Sequence, residues 1–109
     1  MISPALIDRA VQLIVSHYDP ALIYIVGSYS VGTATDASDL DLLVVKETAA
    51  PRRRRQHQVQ LILSSLLIPV DVNVYTPGEF DEELRDAIGF ARTVTKLQGK
   101  LVYRRVNVS

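Results

Sequence analysis

The chain contains no cysteine, and its 12 basic and 12 acidic residues leave no excess of either charge. The missing cysteine excludes disulfide bonds, thiolate nucleophiles and cysteine-based zinc sites. The balanced charge gives no reason to expect that the whole chain binds nucleic acid or a membrane surface. No uninterrupted apolar run is long enough to span a bilayer. The first residues do not form the basic region and long apolar stretch of a signal peptide. We therefore expect a cytoplasmic protein without membrane attachment.

Hydrophobic residues make up 48% of the 109 residues, which is enough for a packed core. A chain of this length predicts one small domain over residues 1–109. No repeat or low-complexity segment interrupts it.

Helical and strand-like segments alternate along the chain. The apolar spacing predicts helices over 4–17, 52–67 and 80–88, the last continuing over 91–97, and strands over 21–26, 39–46, 70–75 and 100–104. A loop over 27–38 has room for a short helix at 28–31, and 76–78 is predicted as a turn. This order predicts an α/β fold with a mixed sheet and flanking helices.

Two aspartates follow a glycine-serine pair at a fixed spacing. Gly27 and Ser28 directly follow the first predicted strand, ten more residues come next, and Asp39 and Asp41 then lie inside the second strand. Side chains two apart on a strand point to the same face, so the two carboxylates should stand side by side. Like charges held that close repel each other, which indicates that a cation or a shared proton neutralises them.

Asp71 lies in another strand-like apolar run, where an unpaired carboxylate is costly to bury. We expect it to join Asp39 and Asp41 on a neighbouring strand. Three carboxylates form a hard-oxygen site suited to Mg²⁺, which takes further ligands from substrate phosphates. Such a site suits phosphoryl or nucleotidyl transfer.

The glycine-serine turn is predicted to bind the nucleotide phosphates. Gly27 lets the backbone come close to a ligand, the amides after a strand attract anions, and the Ser28 hydroxyl adds a donor. A run of four arginines begins the helix at residue 52. Such a run is more often a solvated face, but Arg52 and Arg55 share one side of the helix and are the candidates for binding nucleotide.

The sequence resembles the minimal nucleotidyltransferases of the DNA polymerase β-like superfamily. Gly27, Ser28, Asp39, Asp41 and Asp71 occupy all five positions of that pattern, and a weaker likeness covers nearly the whole chain. The resemblance implies a polymerase β-like palm and transfer of AMP from ATP to a hydroxyl group. It also implies that the three aspartates are catalytic and bind one or two Mg²⁺ ions, and that Asp71 deprotonates the acceptor.

Many domains of this family are antitoxins encoded beside a helical HEPN ribonuclease, and some add AMP to that toxin. The resemblance therefore implies an antitoxin whose acceptor is a HEPN toxin or an RNA, held by the partner or by a second copy of the chain. The alternative is a non-enzymatic antitoxin that neutralises its partner by complex formation. A complete set of three aspartates favours the enzyme, because a pure binder has no need of three repelling carboxylates.

Overall fold

The fold was analysed in a computed structural model, which describes residues 1–85 and 99–106. The helices are α1 (Pro4–Tyr18), α2 (Ser28–Val31), α3 (Arg52–Leu63), followed by a 3₁₀ turn (Ser64–Leu66), and α4 (Pro77–Arg85). The strands are β1 (Leu22–Val26), β2 (Leu40–Val45), β3 (Val70–Tyr75) and β4 (Lys100–Arg104). The helix predicted over 91–97 and the end of the one predicted over 80–88 lie outside the described residues.

The four strands form one mixed sheet in the order β3-β2-β1-β4. β1 runs antiparallel to β2 and to β4, whereas β2 and β3 are parallel and are connected through α3. A mixed sheet with flanking helices confirms the predicted α/β fold class.

The core lies mainly on the face of the sheet that α1 and α3 cover. Leu40, Leu42 and Val44 of β2 are fully buried there, together with Val59 of α3 and Ile14 of α1. Full burial of such a side chain contributes about 1.5–3 kcal/mol. A shift of β2 by one residue would turn these side chains to the opposite face, so the core fixes the register. The same register places Asp41 on the face away from α1 and α3.

A second, smaller apolar cluster lies on that opposite face. Its buried members are Val26, Leu43, Val45, Tyr75 and Phe80, the last contributed by α4. Both faces of the sheet are therefore covered at least in part by helices.

Helix α4 begins at Pro77, although the sequence predicts a turn over 76–78 and a helix from Phe80. The Thr76 hydroxyl accepts a hydrogen bond from the Glu79 amide at 3.2 Å, and the Glu79 carboxylate accepts one from the Thr76 amide at 2.9 Å. This reciprocal pair is a capping box, and proline is well suited to the first helical position that follows it.

Helix α3 ends at Leu63, before the predicted end at residue 67. The chain tightens into the 3₁₀ turn, and Leu67 then takes a left-handed conformation with φ of 53°. Pro69 disfavours helical backbone in the residue before it, which helps to end the helix. None of the helices within 1–85 and 99–106 has the length and apolar character needed to cross a bilayer.

Candidate active site

Asp41 and Asp71 lie side by side on parallel strands. The register of β2 and β3 pairs them directly, and the Leu40 amide donates to the Pro69 carbonyl at 2.9 Å just before the pair. Neighbouring strands are about 4.8 Å apart, so two residues paired on one face have adjacent side chains. On its other side Asp41 pairs with Val26, the last residue of β1. Asp41 thus lies between Asp71 and the point where the chain enters the glycine turn.

Asp39 immediately precedes β2 and is exposed, as is Asp71, whereas Asp41 is half-buried. Burial, and then the negative charges of Asp71 and Asp39, raise the pKa of the Asp41 carboxyl above its ordinary value. The negative charge of Asp41 is therefore less favourable here than on an exposed aspartate, and a bound cation would offset the repulsion.

The donor set is of the kind that Mg²⁺ prefers, because it consists of carboxylate oxygens. Asp41 and Asp71 are brought together by strand register, and Asp39 is close enough for its charge to act on Asp41. Within residues 1–85 and 99–106, however, no three acidic or histidine side chains converge closely enough to hold an ion. The residues fit a cation in type and charge, and binding one with all three would require their side chains to move closer together.

Gly27 fixes the approach of the turn to Asp41. Its φ of 71° and ψ of −149° are accessible mainly to glycine, and a Cβ at this position would lie 2.5 Å from Oδ2 of Asp41. The Gly27 carbonyl accepts from the Ser30 amide at 3.0 Å and begins α2. Ser28 is half-buried beside it, and its carbonyl accepts from the Thr33 amide at 3.0 Å. Hydrogen bonds within the turn therefore hold the predicted Gly27-Ser28 segment in a conformation that packs against Asp41.

The structure does not bring Arg55 to this cluster. Its Nε donates to the Ala50 carbonyl at 2.7 Å, and its Nη1 lies 2.7 Å from Oε1 of Glu79 and 3.3 Å from the Val74 carbonyl. Val74 is three residues along β3 from Asp71, or about 10 Å. Arg55 is also buried. These contacts favour a structural role, and nucleotide binding by Arg55 stays a prediction without support from its position.

Arg52 lies at the same remote end of the sheet. Its guanidinium is 4.8 Å from the centre of the Tyr75 ring and 3.7 Å from Oε1 of Glu79. Tyr75 is the last residue of β3, whereas Asp71 is the second. A nucleotide-binding role for Arg52 likewise stays a prediction.

A cavity of about 300 Å³ lies on the other side of the glycine turn and includes Tyr29 and Ile25 in its lining. No motif marks it in the sequence, because its residues come from four separate elements, α1, β1, α2 and β4.

The sequence pattern of the nucleotidyltransferase domain family matches residues 7–102. The chain belongs to this family. The match includes the glycine turn and all three aspartates of this nucleotidyltransferase. No curated protein matches the chain.

Solved structures share the nucleotidyltransferase fold. One, a protein from Sulfolobus solfataricus assigned as a nucleotidyltransferase, is 24% identical with a TM-score of 0.61, over 93% of this chain and 79% of that one. A toxin–antitoxin structure with AMP-PNP is 25% identical with a TM-score of 0.65, over 90% and 73% of the chains. A mutant of the toxin–antitoxin pair MntA-HpeT is 23% identical with a TM-score of 0.61, over 90% and 73%.

Proposed function

We propose that this nucleotidyltransferase uses Mg²⁺ to transfer AMP from ATP to a hydroxyl group of a HEPN-type toxin, and that it thereby acts as an antitoxin. The observation that carries the proposal is the pairing of Asp41 with Asp71 beside the Gly27 turn. In this arrangement two carboxylates that repel each other lie next to backbone that can approach a phosphate.

The acceptor oxygen would form a bond to the α-phosphorus of ATP, and the bond from that phosphorus to the β-phosphate oxygen would break. AMP is then joined to the acceptor, and pyrophosphate leaves. Asp71 is exposed at the edge of the sheet, where an incoming hydroxyl can reach it, and it would take the proton of that hydroxyl.

Asp39, Asp41 and Asp71 are the residues that would hold Mg²⁺. The bound ion would neutralise phosphate charge during the in-line displacement. The turn at Gly27 and Ser28 would orient the triphosphate, because backbone amides there can donate to phosphate oxygens. Gly27 has the further task of leaving room for the Asp41 carboxylate.

The choice of adenine nucleotide and of a toxin partner has support from similar structures. The toxin–antitoxin structure that shares 25% identity with this chain contains AMP-PNP, an adenine nucleotide. A second similar structure is also a toxin–antitoxin pair. The acceptor class is the part of the proposal that a labelling experiment must decide.

The test is transfer of label from [α-³²P]ATP, with Mg²⁺, to the purified toxin encoded beside this chain or to total RNA. We expect label on the toxin with wild-type protein and none with the Asp39→Asn/Asp41→Asn variant. Asp81→Asn is the matched control, because Asp81 is an exposed aspartate of α4 outside the site. Label on RNA alone would replace the protein acceptor, and label on neither would contradict the proposal.

A non-enzymatic antitoxin is the second candidate. It is favoured by the separation of the carboxylates, since no three acidic groups in the described part of the chain converge on a common point. The two candidates differ in the cell: the Asp39→Asn/Asp41→Asn variant should fail to neutralise the toxin if transfer is required. Full neutralisation by that variant would favour neutralisation by complex formation.

A further inference from the structure

Strand β3, which carries Asp71, is an edge strand of the sheet. It pairs with β2 on one side, and within residues 1–85 and 99–106 no strand pairs with its other side. The Pro69 carbonyl points toward β2, because it accepts from the Leu40 amide at 2.9 Å. Successive carbonyls of a strand point in alternate directions, so the Val70 carbonyl points to the unpaired edge. A hydrogen-bond donor for it must come from outside the sheet.

Gln60 of α3 supplies that donor. Its Nε2 donates to the Val70 carbonyl at 2.9 Å in partly buried surroundings. Helix α3 packs on the face of the sheet that buries Leu40, whereas Asp41 and Asp71 are paired on the opposite face. Gln60 therefore acts on the carboxylates only through the backbone of β3.

The bond restrains the peptide group at which Asp71 begins. The Val70 carbonyl and the Asp71 amide belong to one planar group, so a hydrogen bond to the carbonyl also orients the amide. In a trans peptide the N–H points opposite to the carbonyl, which here is toward β2. This peptide group is consequently restrained by α3 on one side and by β2 on the other.

The Asp71 carboxylate needs such a restraint. It lies beside Asp41, and the two negative charges repel each other. Asp71 is exposed at the edge of the sheet, so rotation of its peptide group would turn the carboxylate away from Asp41. Pro69, two residues earlier, has no amide hydrogen and cannot add a hydrogen bond to this end of the strand.

The fold has other contacts that hold α3 against the sheet. Val59 and Leu63 are buried in the core on either side of Gln60. Arg55 bonds to the Val74 carbonyl, at the end of β3 remote from Asp71. Removing the Gln60 donor should therefore leave the helix in place and release only the Val70 carbonyl.

We propose that Gln60 is a positioning residue of the active site, and that its hydrogen bond to the Val70 carbonyl holds Asp71 beside Asp41. The inference rests on the proposed function, in which Asp71 takes the proton of the acceptor hydroxyl. Loss of the bond should slow the chemical step. Binding of the triphosphate at the Gly27-Ser28 turn should change little.

The test measures kcat and KM for ATP in transfer of label to the proposed toxin acceptor. Gln60→Met keeps nearly the length of the side chain and removes the donor, and Gln58→Met makes the same change at an exposed position of α3. We expect Gln60→Met to lower kcat by about tenfold to a hundredfold. Its KM for ATP should stay within about twofold of wild type, and Gln58→Met should match wild type in both.

Gln60→Lys is the second variant, because its ammonium group can donate to the Val70 carbonyl. It should recover most of the kcat that Gln60→Met loses. Urea unfolding establishes whether each variant is folded under the assay conditions.

Three results would overturn the inference and leave the proposed function standing: wild-type kcat in Gln60→Met, an equal loss of kcat in Gln60→Met and Gln60→Lys, or failure of Gln60→Met to fold. The last two would show that Gln60 serves packing or folding rather than the position of Asp71. Wild-type protein that transfers no label would overturn both the inference and the proposed function.

Discussion

A side-chain carbon at Gly27 would lie 2.5 Å from Oδ2 of Asp41. The glycine therefore does two things at once. It allows a backbone conformation with φ of 71°, and it leaves the space that the Asp41 carboxylate occupies. The turn and the Asp41 carboxylate consequently constrain each other's position, although 13 residues separate Gly27 from Asp41 in the sequence.

Gly27→Ala should damage both stability and transfer. The backbone conformation alone should cost about 1–3 kcal/mol of the free energy of unfolding, and the new methyl group must displace the Asp41 carboxylate. We expect transfer of AMP to fall by more than about tenfold. Urea unfolding and the labelling assay measure the two effects.

Gly32→Ala is the matched control for this substitution. Gly32 also has a positive φ, 81°, but an added Cβ meets nothing within 4 Å. It should lose about 1 kcal/mol of stability and keep its activity. Equal loss of activity in both variants would show that backbone strain, rather than the contact with Asp41, controls the site.

Asp41→Asn should make the metal-free protein more stable near neutral pH while abolishing transfer. The pKa of Asp41 is raised above its ordinary value of 3.8 by burial, Asp71 and Asp39. Stability that depends on this group is fully present below the unfolded pKa and is lost as the pH rises through the folded pKa. The free energy of unfolding of Asp41→Asn should therefore increase relative to that of the wild type as the pH rises.

Unfolding of both proteins in EDTA, from acidic to neutral pH, measures the sign of this stability difference. Glu79, whose pKa is lowered, contributes equally to both proteins, so its effect cancels in the difference. Mg²⁺ should reduce the difference in stability by which the wild type falls below Asp41→Asn. Asp81→Asn controls for the loss of one surface charge. A wild type that is more stable than Asp41→Asn at neutral pH in EDTA would refute the repulsion argument.

Arg55→Ala should lower the free energy of unfolding by about 2–3 kcal/mol, because its hydrogen bonds to Glu79, Ala50 and Val74 are charge-assisted and are partly or fully buried. Arg54→Ala, an exposed change on the same helix, should stay within about 0.5 kcal/mol. ATP affinity of folded Arg55→Ala protein should match wild type. A large loss of ATP affinity without loss of stability would restore the nucleotide-binding role predicted from sequence.

The positions of the strands, and the face of the sheet on which Asp41 lies, can be predicted from the local sequence pattern. The alternation of Leu40, Leu42 and Val44 with Asp41 predicts which face carries the carboxylate, and the structure buries those three residues on the opposite face. The start of α4 was also within reach of sequence reasoning, because Thr76 and Glu79 have the spacing of a capping box.

Contacts between distant segments lie beyond such patterns. The pairing of Arg55 with Glu79 joins residues 24 apart, and only the return of the chain through β3 brings them together. The sequence predicts that Arg52 and Arg55 share one side of α3, but nothing in the local sequence indicates that Arg55 is buried. The cavity at Tyr29 is hidden for the same reason, since four elements must assemble before it exists.

The most direct test of the central claim compares [α-³²P]ATP with [γ-³²P]ATP as donors to the proposed toxin acceptor, using wild type, Asp41→Asn and Asp81→Asn with Mg²⁺. Nucleotidyl transfer at the Asp41–Asp71 pair predicts label from the α position alone, retained in Asp81→Asn and lost in Asp41→Asn. Label from the γ position, or α label that survives Asp41→Asn, would contradict it.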